Sequence, residues 1–121
     1  STAGGIMTTE FISIKANNTV LKTLEFLQTQ VEEDTTYYLY VLDKEKVLKG
    51  VISLRDIVSS PFDTPIMDIV NPNVKTVDIN MDQEEVAKKF MKYGFYMMPV
   101  VDSEYHMLGV IEIDDVMDVM D

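Results

Sequence analysis

The 121-residue chain contains no cysteine. Disulfides and thiolate metal sites are therefore excluded, and a reducing compartment is permitted. Long apolar runs are also missing. No stretch approaches the roughly 20 residues needed to cross a bilayer, and the N-terminus lacks the layout of a secretory signal. The chain itself is expected to be soluble and not membrane-inserted. There is one histidine, His106, beside an expected hairpin turn, and with no second His and no Cys it is expected to be an exposed side chain. Bases are scarce as well: 10 against 21 acids, a net charge of −11. Nucleic acids and anionic membranes are normally met with a basic surface, so both are disfavoured as partners. No Ser-His-Asp set, glycine-rich phosphate loop or paired carboxylate in a cleft stands out. The sequence offers no basis for catalysis, and the chain is not expected to be an enzyme.

What the chain does have is a repeat. Leu48-Lys49-Gly50-Val51-Ile52-Ser53-Leu54-Arg55-Asp56 returns, altered, as Met107-Leu108-Gly109-Val110-Ile111-Glu112-Ile113-Asp114-Asp115. The offset is 109 − 50 = 59 residues, and Val41-Leu42-Asp43 matches Val100-Val101-Asp102 at the same offset. Each copy reads as a buried strand, a glycine, a hydroxyl-or-acid turn, and a helix whose first turn carries an Asp. An anion or a ribose is well met at such a helix start. The totals agree with a globular fold: 46% hydrophobic, 26% charged, and one domain's length of chain.

Taken in order, Ser1 to Gly5 is small and expected to be flexible. Phe11 to Ile14 alternates as a strand. Thr19 caps a helix whose stripe is Val20, Leu24, Leu27 and Val31, and Glu32-Glu33-Asp34 ends it. Tyr37 to Leu42 is β-prone, Asp43 to Lys46 a hairpin turn, and Val47 to Ile52 the return strand. Ser53 opens a short helix through Ser59. Two prolines, Pro61 and Pro65, mark a linker over 61–65 between repeats 1–60 and 66–121. In the second repeat Ile66 to Val70 is a helical turn and Lys75 to Ile79 a strand. Asp82 caps a helix with Glu85 closing a capping box, and Val86, Phe90 and Met91 face inward. Phe95 to Val101 and Met107 to Ile111 are strands joined by a turn over 102–105. The last helix sets Ile113, Val116, Met117 and Met120 on one side, with Asp114, Asp118 and Asp121 on the other. Met97 and Met98 are expected in the core. Each repeat is thus β-α-β-β-α, and the fold class expected is α/β, with the two repeats packed through their sheets and helices outside.

These motifs resemble a tandem pair of cystathionine-β-synthase (CBS) domains. Gly50-Val51-Ile52-Ser53-Leu54-Arg55-Asp56 fits that family's glycine, hydrophobic, Thr/Ser and Asp pattern, and Gly109-Val110-Ile111-Glu112-Ile113-Asp114-Asp115 follows it except at Glu112. A narrower resemblance is to the cytosolic CBS pair of MgtE-type magnesium transporters. It rests on Ala3-Gly4-Gly5-Ile6-Met7-Thr8, Tyr37-Tyr38-Leu39-Tyr40-Val41, Asp82-Gln83-Glu84-Glu85-Val86-Ala87 and Asp114-Asp115-Val116-Met117-Asp118-Val119. It implies a non-enzymatic regulatory module at the cytoplasmic face of the cell membrane. This module forms a homodimer through CBS helices, attached to a transmembrane pore domain of the same parent chain. It also implies Mg²⁺ between acidic surfaces, and ATP (with AMP or ADP open as alternatives) in the cleft between repeats.

Mg²⁺ takes oxygen ligands and often only one or two carboxylates plus waters, so it leaves no sharp spacing motif. Acids do crowd one end: Asp102, Glu104, Glu112, Asp114, Asp115, Asp118 and Asp121 fall in the last twenty residues, which hold no Lys or Arg. Asp118 and Asp121 also oppose the helix dipole. By matched position the resemblance puts cation ligands at Asp82, Glu84, Asp114 and Asp115, and Asp118 joins them from the acidic face. Asp82 has a competing duty as N-cap. Where relatives tend to carry an acid before the Phe, this chain has Gly94. For the nucleotide, Asp56 suits ribose hydroxyls, Ser53 a phosphate, and Arg55 adds charge. The resemblance brings Tyr38 and Phe95 near the base, each equally open to a core role, and Lys75 to the phosphates. Glu112 replaces the Thr/Ser in the second copy and would repel phosphate, so one nucleotide per chain is expected. Two other readings stand beside the Mg²⁺ sensor: an adenine-nucleotide sensor with incidental acidity, and a ligand-free dimerisation scaffold.

Overall fold

The computed structural model describes residues 1–30 and 38–117. Val31, Glu32, Glu33, Asp34, Tyr37, Asp118, Met120 and Asp121 lie outside the described residues. The elements are α1 (Ala3–Ile6), β1 (Ser13–Lys15), α2 (Val20–Gln28), β2 (Leu39–Leu42), β3 (Leu48–Ile52), α3 (Leu54–Ser59), β4 (Val77–Asp78), α4 (Gln83–Tyr93), β5 (Met97–Val101), β6 (Met107–Glu112) and α5 (Ile113–Met117). A single 3₁₀ turn spans Ile66–Asp68 where a longer helical turn was expected. The expected β-α-β-β-α order appears twice.

Two three-stranded sheets result, ordered β1-β2-β3 and β4-β5-β6. In each, the first strand runs parallel to the central one and the third antiparallel to it. The central strands β2 and β5 are buried at every position, which explains their continuous apolar reading rather than an alternating one. Pro99 lacks an N–H, and β4 reaches only Val100 and Val101, so no β4 partner stands opposite the proline.

The chain divides into two compact units: Ile12–Val74, and Ser1–Phe11 together with Lys75–Asp121. Val20, Ile14, Leu39, Val41, Ile52, Ile57 and Ile66 form the core of the first, with Leu24 and Leu27 packed against it. Ala3, Val77, Val86, Phe90, Met98, Val100, Ile111 and Val116 form the core of the second. Ser1 to Gly5 is therefore not a loose end. Ala3 is fully buried, its N–H donates to the Met81 carbonyl at 2.8 Å, and Gly4 N–H donates to Ile79 at 3.0 Å.

An exchange of lead-in segments produces these unit boundaries. Thr8, which precedes β1 in the first repeat, pairs with Val110 of β6 through two backbone hydrogen bonds of 2.9 Å. Asn71, which precedes β4 in the second repeat, pairs in the same way with Val51 of β3, at 2.9 and 2.8 Å. Each crossing runs over a glycine. A Cβ on Gly109 would lie 2.6 Å from the Thr8 carbonyl oxygen, and one on Gly50 would overlap the Asn71 carbonyl.

The helices mostly start where their hydroxyl and acid caps predict. Thr19 Oγ1 accepts the Lys22 N–H at 3.3 Å, and Ser53 Oγ accepts the Asp56 N–H at 3.0 Å. The stop of α2 comes earlier than expected, at Thr29 rather than at the acids after it. The Thr29 hydroxyl turns back to the Phe26 carbonyl at 2.6 Å, competing with continuation of the helix. The capping box does not form. Asp82 accepts from Glu84 N–H, not Glu85, while the Glu85 carboxylate takes Lys88 at 3.3 Å. Met91 is exposed, and Ala87 takes the inward place beside Val86 and Phe90. Five residues on from Val86, a side chain has turned about 140° around the helix. Met117 is likewise exposed, whereas Met97 and Met98 are buried as expected. Gly94 ends α4 with φ 66°, its N–H on the Phe90 carbonyl at 2.8 Å.

Candidate nucleotide and metal sites

The turn from β3 into α3 presents three of the expected nucleotide residues together. Ser53, Arg55 and Asp56 are all exposed at the start of α3. Ser53 is committed as a cap through its lone pair and keeps its hydroxyl proton to donate. The Arg55 guanidinium and the Asp56 carboxylate enter no ion pair among the described residues. The far end of this short helix is closed by Ser59 and Ser60, whose hydroxyls donate to the carbonyls of Arg55 at 2.8 Å and Asp56 at 2.6 Å. A carboxylate, a donor hydroxyl and a guanidinium are thus all exposed at one helix start.

Tyr38, at the entrance to β2, is half-buried and stacks on Tyr40 with ring centroids 6.4 Å apart and 20° between planes. Burial pushes the Tyr40 phenol well above its ordinary range, with the neighbouring Tyr38 adding to the effect. Tyr40 is accordingly a neutral core side chain. The remaining two expected residues, Lys75 and Phe95, fall in the other compact unit. Phe95 packs on that unit's core and stacks on Tyr93 at 5.7 Å. Lys75 sets its ammonium 5.0 Å from the Tyr93 ring centre. Tyr93 therefore joins Lys75 to Phe95. Sequence reading passed it over because the last residue of an amphipathic helix has no pattern of its own.

The carboxylates assigned to metal are exposed: Asp82 and Glu84 at the start of α4, Asp114 and Asp115 at the start of α5. Asp118 lies outside the described residues. Asp82 does act as N-cap, with Oδ2 on the Glu84 N–H at 3.0 Å. Among the described residues no three His, Cys, Asp or Glu side chains come together as an ion's ligand set, nor do these four acids form ion pairs there. All-oxygen donors of this kind suit a hard cation that retains waters.

One polar pair was not foreseen. His106 is half-buried rather than exposed, with Nδ1 2.9 Å from Asp102 Oδ2. Asp102 Oδ1 also accepts the N–H groups of Glu104 and His106, both at 2.9 Å. Partial desolvation would raise the Asp102 carboxyl, but these hydrogen bonds and the imidazole outweigh it and hold the group below its ordinary value of 3.8. The Asp-x₃-His spacing of Asp102 and His106 across a hairpin turn carries no signal unless the turn type is known.

The doubled sheets and the two glycine crossings define a CBS pair, and the chain belongs to the CBS domain family, whose model matches residues 3–63 and again 66–121. Over 121 residues it is 48% identical to the magnesium transporter MgtE of Enterococcus faecalis, a match covering 99% of this chain and 27% of that protein. The chain thus spans 27% of the length of this curated relative. A crystal structure of the soluble part of a magnesium transporter superposes with a TM-score of 0.86 at 48% identity, over 98% of this chain and 47% of that one. Another, of the cytosolic domain of the Mg²⁺ channel MgtE in complex with ATP, gives 0.84 at 42% identity, over 98% and 48%. Among the described residues no helix is long and apolar enough to cross a membrane.

Proposed function

We propose that this chain is the cytosolic regulatory CBS pair of a magnesium transporter or channel, without catalytic activity of its own, that senses Mg²⁺ and is tuned by ATP. The observation that carries the reading is the match of nearly its whole length, at 48% identity, to one segment of such a transporter. The chemistry of the exposed acids supports it. Asp82, Glu84, Asp114 and Asp115 offer carboxylates with no counter-ion among the described residues. Mg²⁺ needs only one or two carboxylates plus waters, so each acid can be one chain's share of a site completed by a second copy in a homodimer. When Mg²⁺ falls, the like charges repel and the dimer loosens. The pore domain of the parent chain, at the cytoplasmic face of the membrane, feels that change.

ATP is the second ligand of this reading. Asp56 takes the ribose, Ser53 and Arg55 a phosphate, and Tyr38 the base. Its support is the ATP complex of the similar cytosolic domain and the exposure of Ser53, Arg55 and Asp56 at one helix start.

Melting and sedimentation test the proposal together. Millimolar MgCl₂ should raise the melting temperature and the dimer fraction above a NaCl control of equal ionic strength, because a ligand of the folded state stabilises by mass action. Glu84→Ala with Asp115→Ala should blunt that effect without unfolding the chain. A response to MgCl₂ no larger than to NaCl would overturn the Mg²⁺ reading. If ATP still stabilised the chain, an adenine-nucleotide sensor would be left, and if neither ligand acted, a dimerisation scaffold.

A further inference from the structure

Cations are concentrated on one wall of the second unit. A cavity of about 290 Å³ opens along α4, lined by Met81, Glu85, Lys88, Lys89, Lys92 and Tyr93. Three of the ten bases of a chain with net charge −11 stand in this one wall. Lys75 adds a fourth from outside the helix. Its ammonium lies 5.0 Å from the centre of the Tyr93 ring, and that of Lys92 lies 5.3 Å from the same ring. Against these stands one carboxylate, Glu85, already taken by Lys88. Lys75, Lys89 and Lys92 enter no ion pair among the described residues, although acids outnumber bases two to one in the chain. Lys89 donates to the Thr76 carbonyl, which ties the Lys75–Thr76 segment to the helix.

Helix-dipole complementarity accounts for Lys92, in the last turn, but the effect fades within one turn and does not reach Lys75. Two ammoniums gathered on one ring repel each other, and an anion between them relieves that repulsion. A phosphate group matches this wall in charge, and the cavity is several times the roughly 30 Å³ that one water occupies in the liquid. We propose that the Lys88–Lys92–Tyr93 cavity, with Lys75 on the Tyr93 ring, is a binding site for a phosphate-type anion of charge two or more. The source is a free phosphate or pyrophosphate, or the phosphate tail of a nucleotide. In the second case the inference rests on the ATP reading above.

Titration calorimetry in Mg²⁺-free buffer tests the site, with sodium pyrophosphate as probe. Lys89 is left intact because it holds the backbone. Pyrophosphate should bind the wild-type chain, and Lys88→Gln with Lys92→Gln should weaken it at least tenfold. Lys22→Gln with Lys44→Gln removes the same charge elsewhere and should leave binding unchanged. Inorganic phosphate competing with pyrophosphate indicates a free anion; displacement by ATP but not by phosphate indicates the nucleotide tail. Asp56→Ala should weaken ATP and spare pyrophosphate, so loss of the nucleotide reading and loss of this site are separable. Absence of pyrophosphate binding to the wild type, or an equal loss in the Lys22/Lys44 control, would overturn the proposal.

Discussion

Asp43 and Asp102 are 59 residues apart (102 − 43) and do the same work. Each Oδ1 accepts two backbone N–H groups at 2.9 Å, from Glu45 and Val47 in one hairpin and from Glu104 and His106 in the other. Each turn then passes through a residue of positive φ, Lys46 at 71° and Tyr105 at 67°. The carboxylate fixes the turn, so residues as unlike as Lys and Tyr tolerate the left-handed position. Replacing Asp43 by Ala removes the acceptor of both hydrogen bonds and should cost about 1–2 kcal/mol in urea unfolding, with Asp43→Asn nearer the wild type.

Acid should expose the role of Asp102. Its folded carboxyl sits below the ordinary value of 3.8, so its contribution is complete above the unfolded-state value and is lost as pH falls through the folded one. Melting temperature followed from about pH 5 downward should fall less steeply in Asp102→Asn than in the wild type. Parallel acid limbs would refute this.

Gly50 and Gly94 should respond differently to alanine. At Gly50 a methyl group meets the Asn71 backbone, which is held by its pairing with Val51, so Gly50→Ala should cost about 3 kcal/mol or more. At Gly94 nothing lies within 4 Å, and only the left-handed conformation is strained. Gly94→Ala should cost about 1 kcal/mol and Gly94→Asn less. Equal losses at both positions in chemical denaturation would contradict the assignment.

Ser53 has a structural duty besides any ligand contact. Ser53→Ala should lower stability by about 1 kcal/mol in the absence of nucleotide through loss of the α3 cap, and Ser53→Thr should restore it. Nucleotide titrations of the alanine variant therefore need the threonine variant beside them.

Phe90 is 1% exposed at the centre of its unit's core. Phe90→Ala should cost about 3–5 kcal/mol. Thermal unfolding checks this directly.

The strands, the hairpins and the caps at Thr19, Ser53 and Asp82 were legible because each is written within a few neighbouring residues. The repeat was legible because the glycine, the turn Asp and the helix-start Asp recur at one interval. What escaped was long-range. Nothing near Thr8 says that its partner is Val110, so the buried α1 read as a loose end. Glu85 was assigned to a cap by spacing, but a lysine three residues on competes for it. Met91 lies about 140° around its helix from Val86 and is turned out, whereas Met117 follows Ile113 at helical spacing and is exposed all the same. At the candidate site, sequence grouped Ser53, Arg55 and Asp56 correctly at one helix start. It did not find Tyr93, which links Lys75 and Phe95.

The traded segments around Thr8 and Asn71 make this module a mutual clasp. A protease cut within 61–65 would yield two pieces, each carrying off the segment that pairs with its neighbour's outer strand. Neither piece owns a whole fold, so the unit that evolution can copy, lose or graft is the pair.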